Sequence, residues 1–190
     1  YGVPCCLTNI TRFMPQVPGL VYAWKGNDLY VNMFIGSNAT VKLKDGPVKI
    51  SQAEGYPWNT RIRLRVEAGT NKKLRLKVRI PGWALSKPLP SALYYYLDDA
   101  PGIVQVTVNG SHYDFSIEEG YAVIDKKWTA GDEVEMILPV TPRKVAANDR
   151  VEDDRGKFAL QRGPVVYCLE GPDNTDGHVH NLMIEEEAAF

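Results

Sequence analysis

Two stretches of strict alternation, RIRLRV at Arg61–Val66 and LRLKVRI at Leu74–Ile80, constrain the fold more than any other part of this chain. Successive side chains of a β-strand point to opposite faces, so an apolar residue at every second position builds one buried and one wetted surface. Ile62, Leu64 and Val66 therefore oppose Arg61, Arg63 and Arg65; Leu74, Leu76, Val78 and Ile80 oppose Arg75, Lys77 and Arg79. If the two strands pair through the intervening EAGTNKK, one sheet face carries six cations. That face is either a surface for an anionic ligand or a solvated one matched by carboxylates on neighbouring strands. A net charge of −1 favours the second reading.

Similar runs recur along the chain. LVYAW (Leu20–Trp24), LYVNMFI (Leu29–Ile35), TVKL (Thr40–Leu43) and VKISQA (Val48–Ala53) precede the two arginine-rich stretches. VQVTVN (Val104–Asn109), YDFSI (Tyr113–Ile117), YAVID (Tyr121–Asp125), EVEMIL (Glu133–Leu138), RKVAA (Arg143–Ala147), FALQ (Phe158–Gln161) and PVVYCLE (Pro164–Glu170) follow them. Gly, Pro, Asn or Asp separates each from the next. Many short strands with closely spaced turn signals predict an all-β fold, an antiparallel β-sandwich of jelly-roll type. No long helical pattern intervenes, which excludes a parallel α/β sheet. Thr8–Met14 is a short N-terminal helical remnant, stopped by Pro15 and Pro18.

A chain of 190 residues is one domain or a domain and a half, and large enough to hold a core without disulfides. No apolar run reaches the ~20 residues that span a bilayer, so no membrane partner is expected. The near-neutral charge argues against nucleic acid. The first residue is Tyr1 rather than Met, so the chain is expected to be cut from something longer, and its compartment cannot be read from that end.

Candidate chemistry is sparse. Asp98–Asp99, Glu118–Glu119 and Asp153–Asp154 are adjacent pairs in strand or turn regions, where neighbours face apart; they read as turn or surface features rather than a catalytic dyad. His178 and His180 have metal-compatible spacing in a polar tail without an obvious third ligand, and His112 stands alone. Trp24, Trp58, Trp83 and Trp128, with Tyr94–Tyr96, are either core or a sugar-stacking platform, the core being the commoner fate. Sequons begin at Asn9, Asn38 and Asn109. Cys168, in an apolar run, is assigned to the core.

Cys5 and Cys6 differ from all of these. Adjacent cysteines bridge only through a strained small ring, which leaves an accident of packing, a metal site or a nucleophile. They follow Pro4 and precede the helical stretch, near a helix N-terminus whose partial positive charge favours a thiolate. Two neighbouring thiolates can turn toward one soft cation such as Zn²⁺. A redox-active dithiol would lack the usual CxxC spacing.

The run from Cys5 to Arg12, CCLTNITR, resembles the CC-x-x-N-x-x-R motif of glycoside hydrolase family 127, the β-L-arabinofuranosidase family. The likeness continues in order through LYVNMFIGSNATV, YPW at Tyr56–Trp58, LKVRIPGWA at Leu76–Ala84, GYAVIDKKWTAGDEVEM at Gly120–Met136 and GKFALQRGPVVYCLEG at Gly156–Gly171. The resemblance implies a parent with an (α/α)₆ catalytic barrel followed by β-sandwich domains. Residues 1–19 would then be the end of the barrel, 20–171 a sandwich, and 172–190 a tail or the start of a further domain.

It also implies roles. Cys5 corresponds to the nucleophile that forms a thioglycosyl intermediate in a retaining mechanism, and Cys5 and Cys6 both to ligands of one Zn²⁺. The family completes that site with a Glu-x-Cys pair from the barrel and uses another barrel glutamate as acid/base. No glutamate stands two residues before a cysteine here, so the zinc site within this chain is incomplete. The parent's substrate would be an arabinofuranoside-type carbohydrate, and the chain itself an inactive, structural part whose partner is the barrel of the same polypeptide. The competing reading is a non-catalytic sandwich that binds carbohydrate or supports a barrel. Neither reading indicates which residues contact the sugar.

Overall fold

The structure is a computed structural model that describes residues 5–68, 73–99, 102–174, 177–179, 182–185 and 188, with backbone alone at 5, 6 and 68. The chain gathers into two compact units. One runs to Pro81 and resumes over Val104–Leu138; the other comprises Gly82–Ile103 and the residues from Pro139 onward. Residues of the stretch 20–171 fall in both units.

The first unit is a sandwich of two sheets. One has the order β1 (Tyr22–Lys25), β2 (Asp28–Val31), β6 (Lys73–Arg79), β11 (Tyr121–Lys127), β10 (Ser116–Glu118). Its β2–β6 pair is parallel and its other pairs antiparallel. The second has the order β3 (Ser37–Leu43), β4 (Gly46–Gln52), β5 (Arg61–Ala68), β12 (Glu133–Ile137), β8 (Gln105–Val108), β9 (Ser111–His112), antiparallel throughout. The all-β antiparallel sandwich expected from the alternation is the fold observed.

Register builds the core row by row. Leu29, Leu76 and Ile124 lie side by side, as do Val31, Val78 and Ala122. In the second sheet Val106, Met136 and Ile62 form one row, and Val108, Val134 and Leu64 the next. All are buried. Trp128 is fully buried, and its indole N–H donates to the Leu74 carbonyl at 3.0 Å, so its one polar group carries no desolvation penalty.

The structure corrects several local expectations. The arginine-rich strands do not pair: β5 lies between β4 and β12, and β6 between β2 and β11, in different sheets. The six cations are therefore divided three and three between two outer faces. Leu20 and Val21 belong to a helical turn, and the first strand starts at Tyr22. The run from Leu29 stops at Val31, because the chain leaves the first sheet there and enters the second at Ser37. The buried Gln52 serves that crossing: its Nε2 donates to the carbonyls of Met33 (3.1 Å) and Ile35 (3.0 Å), which have left the ladder.

A second polar hub ties two turns. Asp132 accepts from Asn109 Nδ2 (2.8 Å), Lys126 Nζ (2.9 Å) and the Thr129 N–H (2.8 Å). Burial pushes this carboxyl up, but those donors overcome it and hold it well below the usual carboxylate range. Asn109 has φ +50°, and its Oδ1 also accepts from the Glu133 N–H, so this sequon asparagine is committed on both sides of its amide. Asn9 and Asn38 are exposed.

The second unit holds one antiparallel sheet in the order β15 (Val165–Val166), β14 (Phe158–Arg162), β13 (Pro142–Ala147), β7 (Tyr94–Tyr96). The Arg143 guanidinium stacks 3.6 Å from the Tyr96 ring centre, pairs with Asp98 at 2.7 Å and donates to Ser86 Oγ at 3.2 Å. The Tyr96 hydroxyl donates to Gln161 Oε1 (3.2 Å), and Gln161 Nε2 to the Gly163 carbonyl (2.8 Å). Gly163, at φ +59°, lies against the Trp83 indole, which a Cβ there would touch at 3.5 Å. Trp83 and Gly163, distant in sequence, thus meet in one packed cluster.

A cysteine-bearing helix as candidate active-site element

Helix α1 spans Cys5–Phe13 (CCLTNITRF), beginning three residues before the expected Thr8. Its backbone includes both adjacent cysteines in the first turn, where four N–H groups lack helical partners. The side chains of Cys5 and Cys6 lie outside the described residues. Pro15 does not merely stop the helix. It occupies the start of a 3₁₀ turn (Met14–Gln16), and Pro18 the start of α2 (Pro18–Val21), positions where the missing N–H costs nothing.

The helix separates its residues by character. At 3.6 residues per turn, Cys5, Thr8, Asn9 and Arg12 share one stripe, while Leu7, Ile10 and Phe13 share another. All three of the latter are more than half exposed (60%, 56% and 53%). Thr11 Oγ1 donates to the Thr8 carbonyl at 2.8 Å and stays on its own backbone.

The other candidates fall apart as chemistry. Among the described residues no group of three or more His, Cys, Asp or Glu side chains converges as metal ligands would. His180 lies outside the described residues, and His112 pairs with Asp114 at 3.2 Å on the surface. Asp98 serves Arg143, and Asp154 accepts from the Tyr94 hydroxyl at 3.1 Å. Cys168 is exposed rather than in the core: the last bond of this run to β14 is the Tyr167 N–H to the Leu160 carbonyl at 2.8 Å, and the cysteine follows it. Of the tryptophans, Trp128 is core, whereas Trp24 and Trp58 are 55% and 75% exposed.

Sequence reasoning missed one charged cluster, on the outer face of the first sheet. Lys77 Nζ lies 3.0 Å from Glu118 Oε2 and 3.3 Å from Asp28 Oδ2, with the Tyr30 ring centre 5.1 Å away. Arg75 donates to Glu118 at 2.6 Å. Hydrogen bonding from Lys77 and Arg75 holds the Glu118 carboxyl below its ordinary range, and Glu118 in turn raises Lys77 against the effect of burial. Lys25, Asp28, Tyr30, Lys77, Glu118 and Glu119 line a shallow hollow of 560 Å³ there. Within the cluster Arg75 and Lys77 are matched by Asp28 and Glu118. Only the alternation pointed to it, by placing Arg75 and Lys77 outward.

Residues 28–140 match the family described as β-L-arabinofuranosidase, GH127 middle domain, and residues 142–190 the glycoside hydrolase family 127 C-terminal domain. The two matches meet close to Pro139, where the second unit resumes. A non-reducing end β-L-arabinofuranosidase from Bifidobacterium longum subsp. longum is 30% identical over 181 residues, 92% of this chain and 24% of the relative. A solved GH127 β-arabinofuranosidase superposes with a TM-score of 0.86 at 42% identity, covering 92% of this chain and 27% of its own. A GH127 β-L-arabinofuranosidase from Geobacillus stearothermophilus T6 gives a TM-score of 0.76 at 34% identity, over 90% and 24%.

Sandwich sheets of this arrangement are thus those of a glycoside hydrolase's C-terminal part. The chain belongs to glycoside hydrolase family 127, and it spans about a quarter of the length of these relatives (24% and 27%).

Proposed function

We propose that this chain is the C-terminal part of a retaining glycoside hydrolase acting on β-L-arabinofuranosides, with Cys5 as its nucleophile. Cys5 and Cys6 would be two ligands of a zinc ion whose other ligands come from the catalytic barrel of the same polypeptide. The observation that carries the reading is collinearity: a helix beginning with adjacent cysteines stands directly before both family domains, in order.

The donor chemistry fits. Two thiolates are half of a tetrahedral zinc set, and the two cysteines are adjacent in the first turn of α1. Zinc, when bound, keeps thiols deprotonated at neutral pH. The Cys5 sulfur attacks the anomeric carbon as the bond to the leaving oxygen breaks; that oxygen takes the electron pair and a proton from an acid supplied by the barrel. Water then attacks the same carbon, gives up its proton and releases the sulfur. Two inversions give net retention. The sandwich residues take no part and serve as structural support.

The test compares the full-length protein, its Cys5→Ser variant and the isolated 190-residue chain on an aryl β-L-arabinofuranoside, with zinc measured in each. Cys5→Ser should lose at least about 10³-fold in kcat, the scale for removing a nucleophile. The isolated chain should hydrolyse nothing and hold zinc weakly. Full activity and unchanged metal in Cys5→Ser would overturn the proposal.

One observation favours a second reading, a carbohydrate-binding module: the bare indoles of Trp24 and Trp58. Retention of the isolated chain on arabinan, lost in Trp24→Ala or Trp58→Ala, would establish it.

A further inference from the structure

We infer that Asn32 and Tyr121 are positioning residues for the proposed reaction: they fasten to the sandwich the end of the helical run that begins at Cys5, and so set the direction in which that run leaves the first sheet. The inference rests on the assignment of Cys5 as nucleophile.

The run contains no extended residue. Helix α1, the 3₁₀ turn Met14–Gln16 and α2 follow one another, with Phe13 and Val17 also in helical conformation. The backbone first becomes extended at Tyr22, at φ −123° and ψ 145°. An orientation imposed at Leu20 and Val21 therefore passes back along the run toward its first turn. Leu7, Ile10 and Phe13 of α1 are more than half exposed, so within this chain their packing does not set that orientation. The connection is made at the last turn, where Val21 is buried.

The last carbonyls of a helix have no helical partner, and Asn32 takes two of them. Its N–H donates to the Val21 carbonyl at 2.9 Å and its Nδ2 to the Leu20 carbonyl at 3.3 Å. The amide is fixed from its other side, where Oδ1 accepts from the hydroxyl of Tyr121, on β11 inside the first sheet, at 2.9 Å. The Asn32 carbonyl accepts from Arg79 Nη1 at 3.5 Å, so every polar group of this residue is engaged. The second sheet holds the residue that follows the run. The Tyr22 hydroxyl lies 3.0 Å from Ser37 Oγ and accepts from Gln52 Nε2 at 3.4 Å. Both sheets thus grip the run where it ends, through hydrogen bonds whose directions fix an orientation that apolar contact alone would not.

The experiment uses the full-length protein and an aryl β-L-arabinofuranoside. Asn32→Asp is isosteric; it keeps an acceptor for Tyr121 but turns a second acceptor toward the Leu20 carbonyl, and Tyr121→Phe removes the hydroxyl alone. Per folded molecule, kcat should fall about 10-fold in Asn32→Asp and about 3-fold in Tyr121→Phe, with KM within about 2-fold. That split is expected when a nucleophile is displaced and substrate binding is not. Tyr113→Phe loses a hydroxyl bonded to the Asp125 carbonyl rather than to Asn32, and should stay within about 2-fold in kcat. Hydrogen exchange should quicken over residues 5–21 in the first two variants and not in the third. An unchanged kcat in both, or a loss that only tracks the folded fraction, would overturn the inference. If Asn32→Asp fails to fold, Tyr121→Phe decides alone. Inactive Cys5→Ser beside fully active Asn32 and Tyr121 variants would overturn this inference by itself. Active Cys5→Ser would overturn the nucleophile assignment, and this inference with it.

Discussion

The two outer faces of the first unit arise from nearly the same sequence pattern and end in different physical states. On the second sheet Arg61, Arg63 and Arg65 project from β5 with side chains 51%, 60% and 52% exposed, and Glu135 bridges the first two at 2.8 Å each. On the first sheet Lys77 projects from the centre of β6 with only 8% of its side chain exposed, and Val123 beside it is buried although it also points outward. Tyr30 and Tyr121 meet edge to face at 5.3 Å, and the Tyr121 hydroxyl donates to Asn32 Oδ1 at 2.9 Å. Alternation decides which way a side chain points. Whether that side stays wet depends on the length and shape of the neighbours across the strands.

Breaking the covered face should therefore cost more than breaking the wet one. Lys77→Ala removes the cation between Asp28 and Glu118 and leaves two carboxylates sharing Arg75. Losing one partner of a largely buried pair is costly, and with Glu118 still partly wetted we expect about 2 kcal/mol. Arg63→Ala should stay within about 0.5 kcal/mol, because exposed pairs contribute little and Arg61 still holds Glu135. Urea titrations of both variants check this; equal losses would mean that the faces do not differ energetically.

The comparison also has a pH signature. Glu118 is held below 4.5 by Lys77 and then Arg75; Glu135 is held below 4.5 by Arg63 and then Arg61, with burial opposing in each case. A carboxyl whose folded pKa is depressed stabilises the fold fully above its unfolded value and loses that contribution as pH falls through the folded one. Stability should decline below about pH 4.5, since the unfolded chain there binds more protons. Glu118→Gln should flatten that decline and lower stability near neutrality. An unchanged acid profile would exclude Glu118 as a contributor.

Much of this was legible in the sequence, and the failures share a cause. The burial of Leu64, Leu76 and Val78 follows from alternation alone, as does the outward placement of every arginine on β5. What alternation lacks is the identity of the partner strand. β5 and β6 are neighbours in sequence with matching patterns, yet a hairpin would put both apolar faces on one sheet; each is instead central to a different sheet, and together they close the core. The burial of Lys77 depends on Glu118, 41 residues away, and no local pattern encodes that distance. Cys168 illustrates the converse: an apolar run reads as a buried strand, but its bonding to β14 ends with the Tyr167 N–H on the Leu160 carbonyl, one residue before the cysteine. The cysteine pair is a signal of another kind, residue identity at fixed spacing, which is read without knowledge of tertiary contacts.

Salt separates the faces with the smallest effect. Glu135→Gln removes both exposed bridges of the second sheet, and we expect a loss of about 0.5–1 kcal/mol at low ionic strength. At 1 M salt the screening length falls to about 3 Å, so most of that difference should vanish. The Lys77→Ala loss should persist under the same conditions, because Lys77 is itself only 8% exposed and Glu118 lies within hydrogen-bond distance of it. Repeating both urea titrations at low and high sodium chloride distinguishes the cases. A Lys77→Ala deficit that salt erased as readily as the Glu135→Gln deficit would show the first sheet's cluster to be another solvated ion network, and its low exposure a matter of packing without electrostatic consequence.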